Sequence, residues 1–424
     1  MKKAVICSIF VCLIISSCAS TRNKTQKSIK NLLNTSFYEN QFTGLVVLDP
    51  IAKDTILNVN GKKYFTPAST TKIFTLFASL QLLPEYLPTL KYITQNDTLY
   101  IQGTGAPTTL HSRFKDTIFT QFLKEHKHIG LDLNNFKDQK YGPGWAWEDY
   151  AYYYQPEKSG FPLYGNTVRM FQNEEVHVIP DFFKDKVILQ NNTKNRELNS
   201  NQFYLSPLEK DTLEIPYITD HTLTKRLLEN TLKKEITLVS KMPQGKKTVL
   251  YGIAVDSVYK HMMLTSDNFI AEQLLITASS SLSDTLNTVK AQDYILKTYL
   301  KDLKQSPRWV DGSGLSRYNL FTPESMVHVL EKLYTSVLNK ERLFNFFPTG
   351  GVSKGLKDWY KGDPHPYIYA KTGSLGNNHS LSGYLITKSG KTLIFSFMNN
   401  HYKKPSSEVK QRMQLILEKI RDTY

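Results

Sequence analysis

Ser69 and Lys72 stand three residues apart in "TPASTTKIFTLFASL", residues 66–80, the spacing that puts two side chains on one face of a helix. Pro67 just upstream and the apolar run beyond place Ser69 at a helix N-terminus, where backbone N–H groups and the dipole favour a developing anion. A lysine held out of water beside another cation loses its proton more readily and can then accept one from a serine. Ser69 thus reads as a nucleophile and Lys72 as its base. The same S-x-x-K pattern recurs at Ser112, Ser257 and Ser407, so a single match is equally satisfied by surface helix residues and needs partners.

Two partners follow in order. "TSDNFIAEQLL" carries Ser266, Asp267 and Asn268, the only S-x-N in the chain, and "YAKTGSLG" carries Lys371, Thr372 and Gly373. Ser266 can relay a proton between Lys72 and a leaving amine, and Asn268 can hold a substrate amide. Lys371 supplies the second cation, keeps one lysine neutral and attracts a carboxylate, to which Thr372 can hydrogen-bond. Gly373 lets a strand approach closely, so that the N–H groups of Ser69 and Ser374 form an oxyanion hole. Taken singly, S-x-N is also a helix cap and K-T-G a turn between strands. All three in this order, with K-T-G leading into a predicted terminal strand, favour the chemistry.

With these blocks the chain resembles the low-molecular-mass class C penicillin-binding proteins, the D-alanyl-D-alanine carboxypeptidases/endopeptidases of peptidase family S13. The likeness covers most of residues 42–400 and includes "PASTTK", "MMLTSDNFIAEQLL", "VDGSGLSRYNLFTP" and "AKTGSLGNNHSLSGYL". "LYIQGTGAPTTL" is similar to the family's G-D-P-T-L segment, with the acid replaced, and "GWAWEDYAYYY" to its W-x-W-x-D block. The wide gap from Ser69 to Ser266 fits a family that inserts extra domains there. The resemblance implies an α/β (α+β) fold with a penicillin-recognising, β-lactamase-like serine transpeptidase core, an antiparallel sheet flanked by helices, and an inserted β-rich domain. It also implies that Asp149 and Tyr154 bind the amine-bearing side chain of the peptidoglycan stem, although the tyrosines equally suit an aromatic packing patch. Asp311 to Arg317 would shape the site edge; they lack the acid spacing of a calcium loop.

The elements that must position these residues are legible in outline. "TGLVVLDP" and "DTILNVNGKKYF" are β-rich, with a tight turn at Asn60-Gly61, and "YLITKSG" with "KTLIFSFMNN" forms a hairpin. A helix follows from about Ser406, with Val409, Met413, Ile416, Leu417 and Ile420 on one face. Strands at both ends predict one sheet closed by the two termini. The middle alternates short strand-like runs with two helical patches, "TIFTQFLKEHKH" and "TLTKRLLENTLKK". The expected division is a catalytic domain over 36–95 and 251–424 and an inserted domain over 96–250.

The first eighteen residues, "MKKAVICSIFVCLIISSC", combine Lys2 and Lys3, a short apolar run and small residues at a cleavage-like site, which is a secretory signal. All three cysteines, Cys7, Cys12 and Cys18, lie within it, which excludes disulfides and cysteine-ligated metals from the mature chain. Cys18 in "ISSCAS" matches a lipobox, so the reading is a lipoprotein signal over 1–18, lipidation at Cys18, a polar tether over 19–35, and a periplasmic or envelope location anchored to the membrane by lipid.

A formal charge of +15 favours anionic partners, but export argues against nucleic acid and no compact basic run is present. The histidines include no H-E-x-x-H pair, and His126 and His128 lie in a charged helical patch. Neither metal nor cofactor is expected; the expected partners are a peptidoglycan stem peptide and β-lactam antibiotics. Two alternatives stand beside the serine-type D-Ala-D-Ala carboxypeptidase/endopeptidase: a serine β-lactamase or esterase of the same superfamily, and a non-catalytic, lipid-anchored wall-binding protein. Against the first, the E-x-x-L-N pattern of class A β-lactamases is missing, Thr335 standing where its acid would be.

Overall fold

The computed structural model describes residues 24–424; the signal segment, Cys18 and the start of the expected tether lie outside the described residues. The chain forms two compact units.

The first unit takes the described chain up to Ile73, then Asp302–Arg308 and Asn319–Tyr424. Its centre is a five-stranded sheet in the order Ile368–Leu375, Asn378–Ile386, Thr392–Asn400, Phe42–Asp49, Asp54–Val59, antiparallel throughout. Phe42–Asp49 lies against Thr392–Asn400, with Leu45 opposite Phe397, so the two ends of the chain close the sheet as the sequence predicts. Period-two alternation sorts its side chains. Leu45, Val47, Leu381, Leu393, Phe395 and Phe397 share a core with Val409, Met413, Ile416, Leu417 and Ile420 of helix Ser406–Thr423. These five are the residues that the 3.6-residue spacing put on one face. On the opposite face Tyr384 donates from its hydroxyl to Leu330 O at 2.9 Å, within helix Pro323–Ser336.

One expectation is corrected here. Residues 24–33, placed in a polar tether, are helical, and Ile29 and Leu33 join the same core. Their stripe is narrow and the rest of the helix is polar, so composition concealed it.

The second unit comprises Phe74–Lys301 and Trp309–Tyr318. A mixed five-stranded sheet runs Thr237–Leu238, His128–Asp132, Thr98–Gly103, Tyr86–Gln95, Thr248–Ala254, with both pairings of His128–Asp132 parallel. Leu90, Leu99, Ile101, Ile129 and Leu131 pack there against Phe119, Leu123, Leu227 and Leu228 of helices Ile118–Lys124 and His221–Leu232, the two helical patches of the sequence. The first ends earlier than expected, so His128 begins a strand instead of continuing the helix. A three-stranded sheet, Leu213–Pro216, Thr167–Gln172, Val176–Ile179, and a parallel pair, Val187–Leu189 with Phe203–Leu205, add to the β-rich part. Helix Asn268–Ser280 is buried from Phe269 to Ser280, which is why it shows no amphipathic stripe.

Among the described residues no helix is long and apolar enough to cross a membrane.

Candidate active site

In the first unit Ser69 sits in a 3-10 turn, Ala68–Thr71, that leads directly into helix Lys72–Leu82. Ala68 is held at φ 50°, the left-handed region that a residue with a Cβ seldom occupies. The segment is held in place from several sides. Thr66 N donates to Asn400 Oδ1 at 2.9 Å and Asn400 Nδ2 returns a bond to Thr66 O at 3.1 Å, while Phe65 and Phe321 exchange backbone bonds. The Asn400 clamp was not foreseen, because it joins residues at opposite ends of the chain.

Lys72 Nζ lies 3.1 Å from Ser69 Oγ, and Lys72 is fully buried. Lys371 is buried as well. Burial first, and then the nearby Lys72 charge, push Lys371 well below the usual lysine range. Two ammonium groups this close and this buried disfavour one another, so protonation of one lysine is coupled to that of the other. The Lys72 amine, 3.1 Å from Ser69 Oγ, is within proton-transfer distance of it.

Lys371 to Ser374 lie on strand Ile368–Leu375, at the edge of the sheet, so K-T-G is within a strand and not a turn. A methyl group on Gly373 would stand 2.4 Å from Pro67 O and 3.0 Å from Ser69 N. The strand abuts the nucleophile's own backbone there, and only glycine permits it. Ala370 N, on the outer edge, donates to Pro348 O; two and four residues on, Thr372 and Ser374 present their N–H groups to the same side by the antiparallel alternation. The Ser374 N–H and the Ser69 N–H are therefore available to an oxyanion. Ser374 Oγ also meets His379 Nδ1 at 2.8 Å, a contact the sequence did not signal.

In the second unit Ser266 terminates helix Val255–Thr265 in the left-handed conformation, φ 60° and ψ 36°. Asp267 caps the next helix, its side chain accepting from Ile270 N, and Asn268 is the first helical residue. The S-x-N triplet is thus a tight corner between two helices, and the cap reading holds for its geometry. Asn268 Nδ2 donates to Tyr154 O at 3.0 Å. Burial, together with the Asp149 carboxylate that hydrogen-bonds it, raises Tyr154 above the usual phenol range. Tyr154 stacks on Tyr152 with centroids 5.5 Å apart. Trp147 and Tyr153 are exposed, so the aromatic block is not a packing patch throughout.

The loop from Asp311 is built around that acid. Its carboxylate accepts from Trp145 Nε1, Gly314 N and Ser316 N. Glu272, one turn beyond Asn268, accepts from Ser313 N at 2.7 Å. Burial, with the Asp311 charge adding, pushes Glu272 up to about 7.

The structure therefore gathers Ser69, Lys72, Lys371, Thr372, Gly373 and Ser374 within the first unit, and Ser266, Asn268, Tyr154 and Asp149 within the second. Among the described residues no group of three or more His, Cys, Asp or Glu is placed to hold a metal ion.

Comparison with known proteins shows which family the chain belongs to. The chain is 23% identical over 422 residues to the D-alanyl-D-alanine carboxypeptidase DacB of Haemophilus influenzae, covering 87% of each. A shorter stretch of 138 residues is 33% identical to the penicillin-sensitive carboxypeptidase A of Dictyostelium discoideum, 31% of this chain and 26% of that protein. The crystal structure of penicillin binding protein 4 from Haemophilus influenzae shares the fold, with a TM-score of 0.68 at 21% identity over 92% of this chain and 97% of that one. The family model for D-Ala-D-Ala carboxypeptidase 3 (S13) matches residues 25–199 and 214–420, and with that span the chain belongs to this family and is a hydrolase of the carboxypeptidase class.

Proposed function

We propose that this member is a serine-type D-Ala-D-Ala carboxypeptidase/endopeptidase that cuts peptidoglycan stem peptides through an acyl-enzyme on Ser69. Lys72 at 3.1 Å from Ser69 Oγ, buried beside a second buried lysine, is the observation that carries it. Lys72 takes the Ser69 proton as Oγ bonds to the carbonyl carbon of the penultimate D-Ala. The negative oxygen is received by the N–H groups of Ser69 and Ser374. The C–N bond then breaks, and the leaving amine, a terminal D-Ala or a cross-linking residue, takes its proton through Ser266. Water hydrolyses the ester and regenerates Ser69.

Lys371 and Thr372 receive the substrate carboxylate, Asn268 its amide, and Asp149 with Tyr154 the amine of the stem side chain. Penicillin acylates the same serine, in keeping with the penicillin-sensitive relative. At the N-terminus the lipobox supports lipidation of Cys18 once residues 1–17 are removed, which tethers the enzyme in the cell envelope.

The test is covalent labelling of the mature protein with a fluorescent penicillin, followed by mass spectrometry. One adduct on Ser69, lost in both Ser69→Ala and Lys72→Ala, is the expected outcome. A folded protein that takes up no label would leave only the binding-protein alternative standing.

A further inference from the structure

His379 has no part in the steps above, yet it lies directly beneath them. Strand Ile368–Leu375 turns into Asn378–Ile386 through two residues, with Leu375 opposite Asn378 and Ser374 opposite His379. In such a hairpin the closing pair exchanges backbone bonds and the next pair does not. Ser374 and His379 therefore form the closer, non-hydrogen-bonded pair, and their side chains meet at 2.8 Å, Oγ to Nδ1. Ser374 is exposed and His379 is buried. The buried ring thus holds the hydroxyl of an exposed serine on the strand that carries Lys371 and Thr372.

Which atom donates in this contact decides what Ser374 can do. A serine hydroxyl has one hydrogen and two acceptor sites, and a neutral imidazole has one donor and one acceptor nitrogen. Burial, with the Lys410 charge acting in the same sense, holds His379 down to about 3, so the ring is neutral. If Nδ1 accepts, the serine hydrogen is consumed inward and only lone pairs face the substrate, which repel an anion. If Nδ1–H donates, the serine hydrogen is free to point outward.

Resting on the acyl-transfer reading of this site, we infer that His379 is a positioning residue whose Nδ1–H donates to Ser374 Oγ, turning the Ser374 hydroxyl into a donor for the carboxylate of the substrate or inhibitor. Recognition of a free carboxylate then depends on the Ser374–His379 pair together with Lys371 and Thr372, while attack by Ser69 does not.

The test measures acylation of Ser69 by benzylpenicillin, which carries the carboxylate, and by its methyl ester, which does not. His379→Leu is expected to slow acylation by the free acid about tenfold, the scale of one hydrogen bond to a charged group, and to leave the ester rate within about twofold. His379→Asn, whose amide can occupy the Nδ1 position, is expected to restore most of the loss. Adding His379→Leu to Ser374→Ala is expected to slow acylation by the free acid no further than Ser374→Ala alone, because His379 acts through Ser374. Nitrogen NMR of the acylated wild type is expected to show a protonated Nδ1. Equal losses for acid and ester, additive effects of the two substitutions, or an Nδ1 without its proton would each overturn the inference while leaving the acyl-transfer reading intact. A wild-type protein that is not acylated at Ser69 would instead overturn that reading and the inference with it.

Discussion

The opening pair, Ser69 and Lys72, shows how a residue that looks misplaced becomes intelligible once its neighbours are known. A lysine at the head of an apolar helix is costly as an ammonium and useful as an amine. The structure supplies the reason it can be an amine, because Lys371 is buried close enough for the two charges to lower each other's stability. The sign of the pH dependence follows. On the proposed mechanism, below the apparent pKa of the pair both lysines are protonated and Ser69 lacks its base; above it one is neutral. Because Lys371 is pushed down from 10.5, the acylation rate is expected to rise with pH and level off well below that value. A pH profile of penicillin acylation checks this, and a profile that climbs only near 10.5 would contradict it. Gly373 gives a second residue-scale outcome. With 2.4 Å between a new Cβ and Pro67 O, Gly373→Val must displace the edge strand from Ser69. Acylation is expected to fall at least 100-fold while the melting temperature moves by only a few degrees, because the strand lies at the sheet edge.

At the scale of elements, the two classes of pattern behaved differently. Motif spacing located the Ser69 turn, the S-x-N corner and the K-T-G strand, and the helical period named all five buried residues of Ser406–Thr423. What escaped depended on contacts between residues distant in sequence or on register. The Ser374–His379 pair exists only because the hairpin turns in two residues, and a one-residue slip would have put His379 on the other face. Residues 24–33 escaped because two buried apolar side chains in ten leave too weak a stripe to outvote a polar composition. That helix is nevertheless part of the fold. Ile29 is 1% exposed, so Ile29→Ala is expected to destabilise the protein by about 3 kcal/mol, the usual cost of emptying a core isoleucine site, whereas Lys27→Ala, on the exposed side, is expected to be nearly neutral. Urea denaturation of both variants distinguishes a docked helix from a tether, for which neither substitution would matter.

For the molecule as a whole, stability against pH combines groups of opposite sign. His111, held down to about 4 mainly by burial, and His379, held down to about 3, are neutral in the folded state and bind protons more readily once unfolded. Their contribution is present above about 6.5 and is lost as pH falls toward those values. The lowered carboxyl of Asp267, bonded by His261 and by Ile270 N, acts in the same direction at lower pH. Glu272 opposes them. Its carboxyl is raised from 4.5 to about 7, so the folded state binds the extra proton and stability declines as pH rises between those two values. Gln at 272 can still accept from Ser313 N but has no charge to bury. The melting temperature of Glu272→Gln minus that of the wild type is therefore expected to grow more positive from about pH 4.5 to 7 and to be flat above, since the histidines and Asp267 are common to both proteins and cancel. The carboxylate also borders the Asp311 loop through Ser313 and Gly312, so acylation by penicillin measured alongside shows whether the loop has moved. A difference that stays constant across the range would mean that Glu272 is ionised at no cost in the fold, and that the repulsion from Asp311 is relieved by Lys158, whose charge acts on it in the favourable sense.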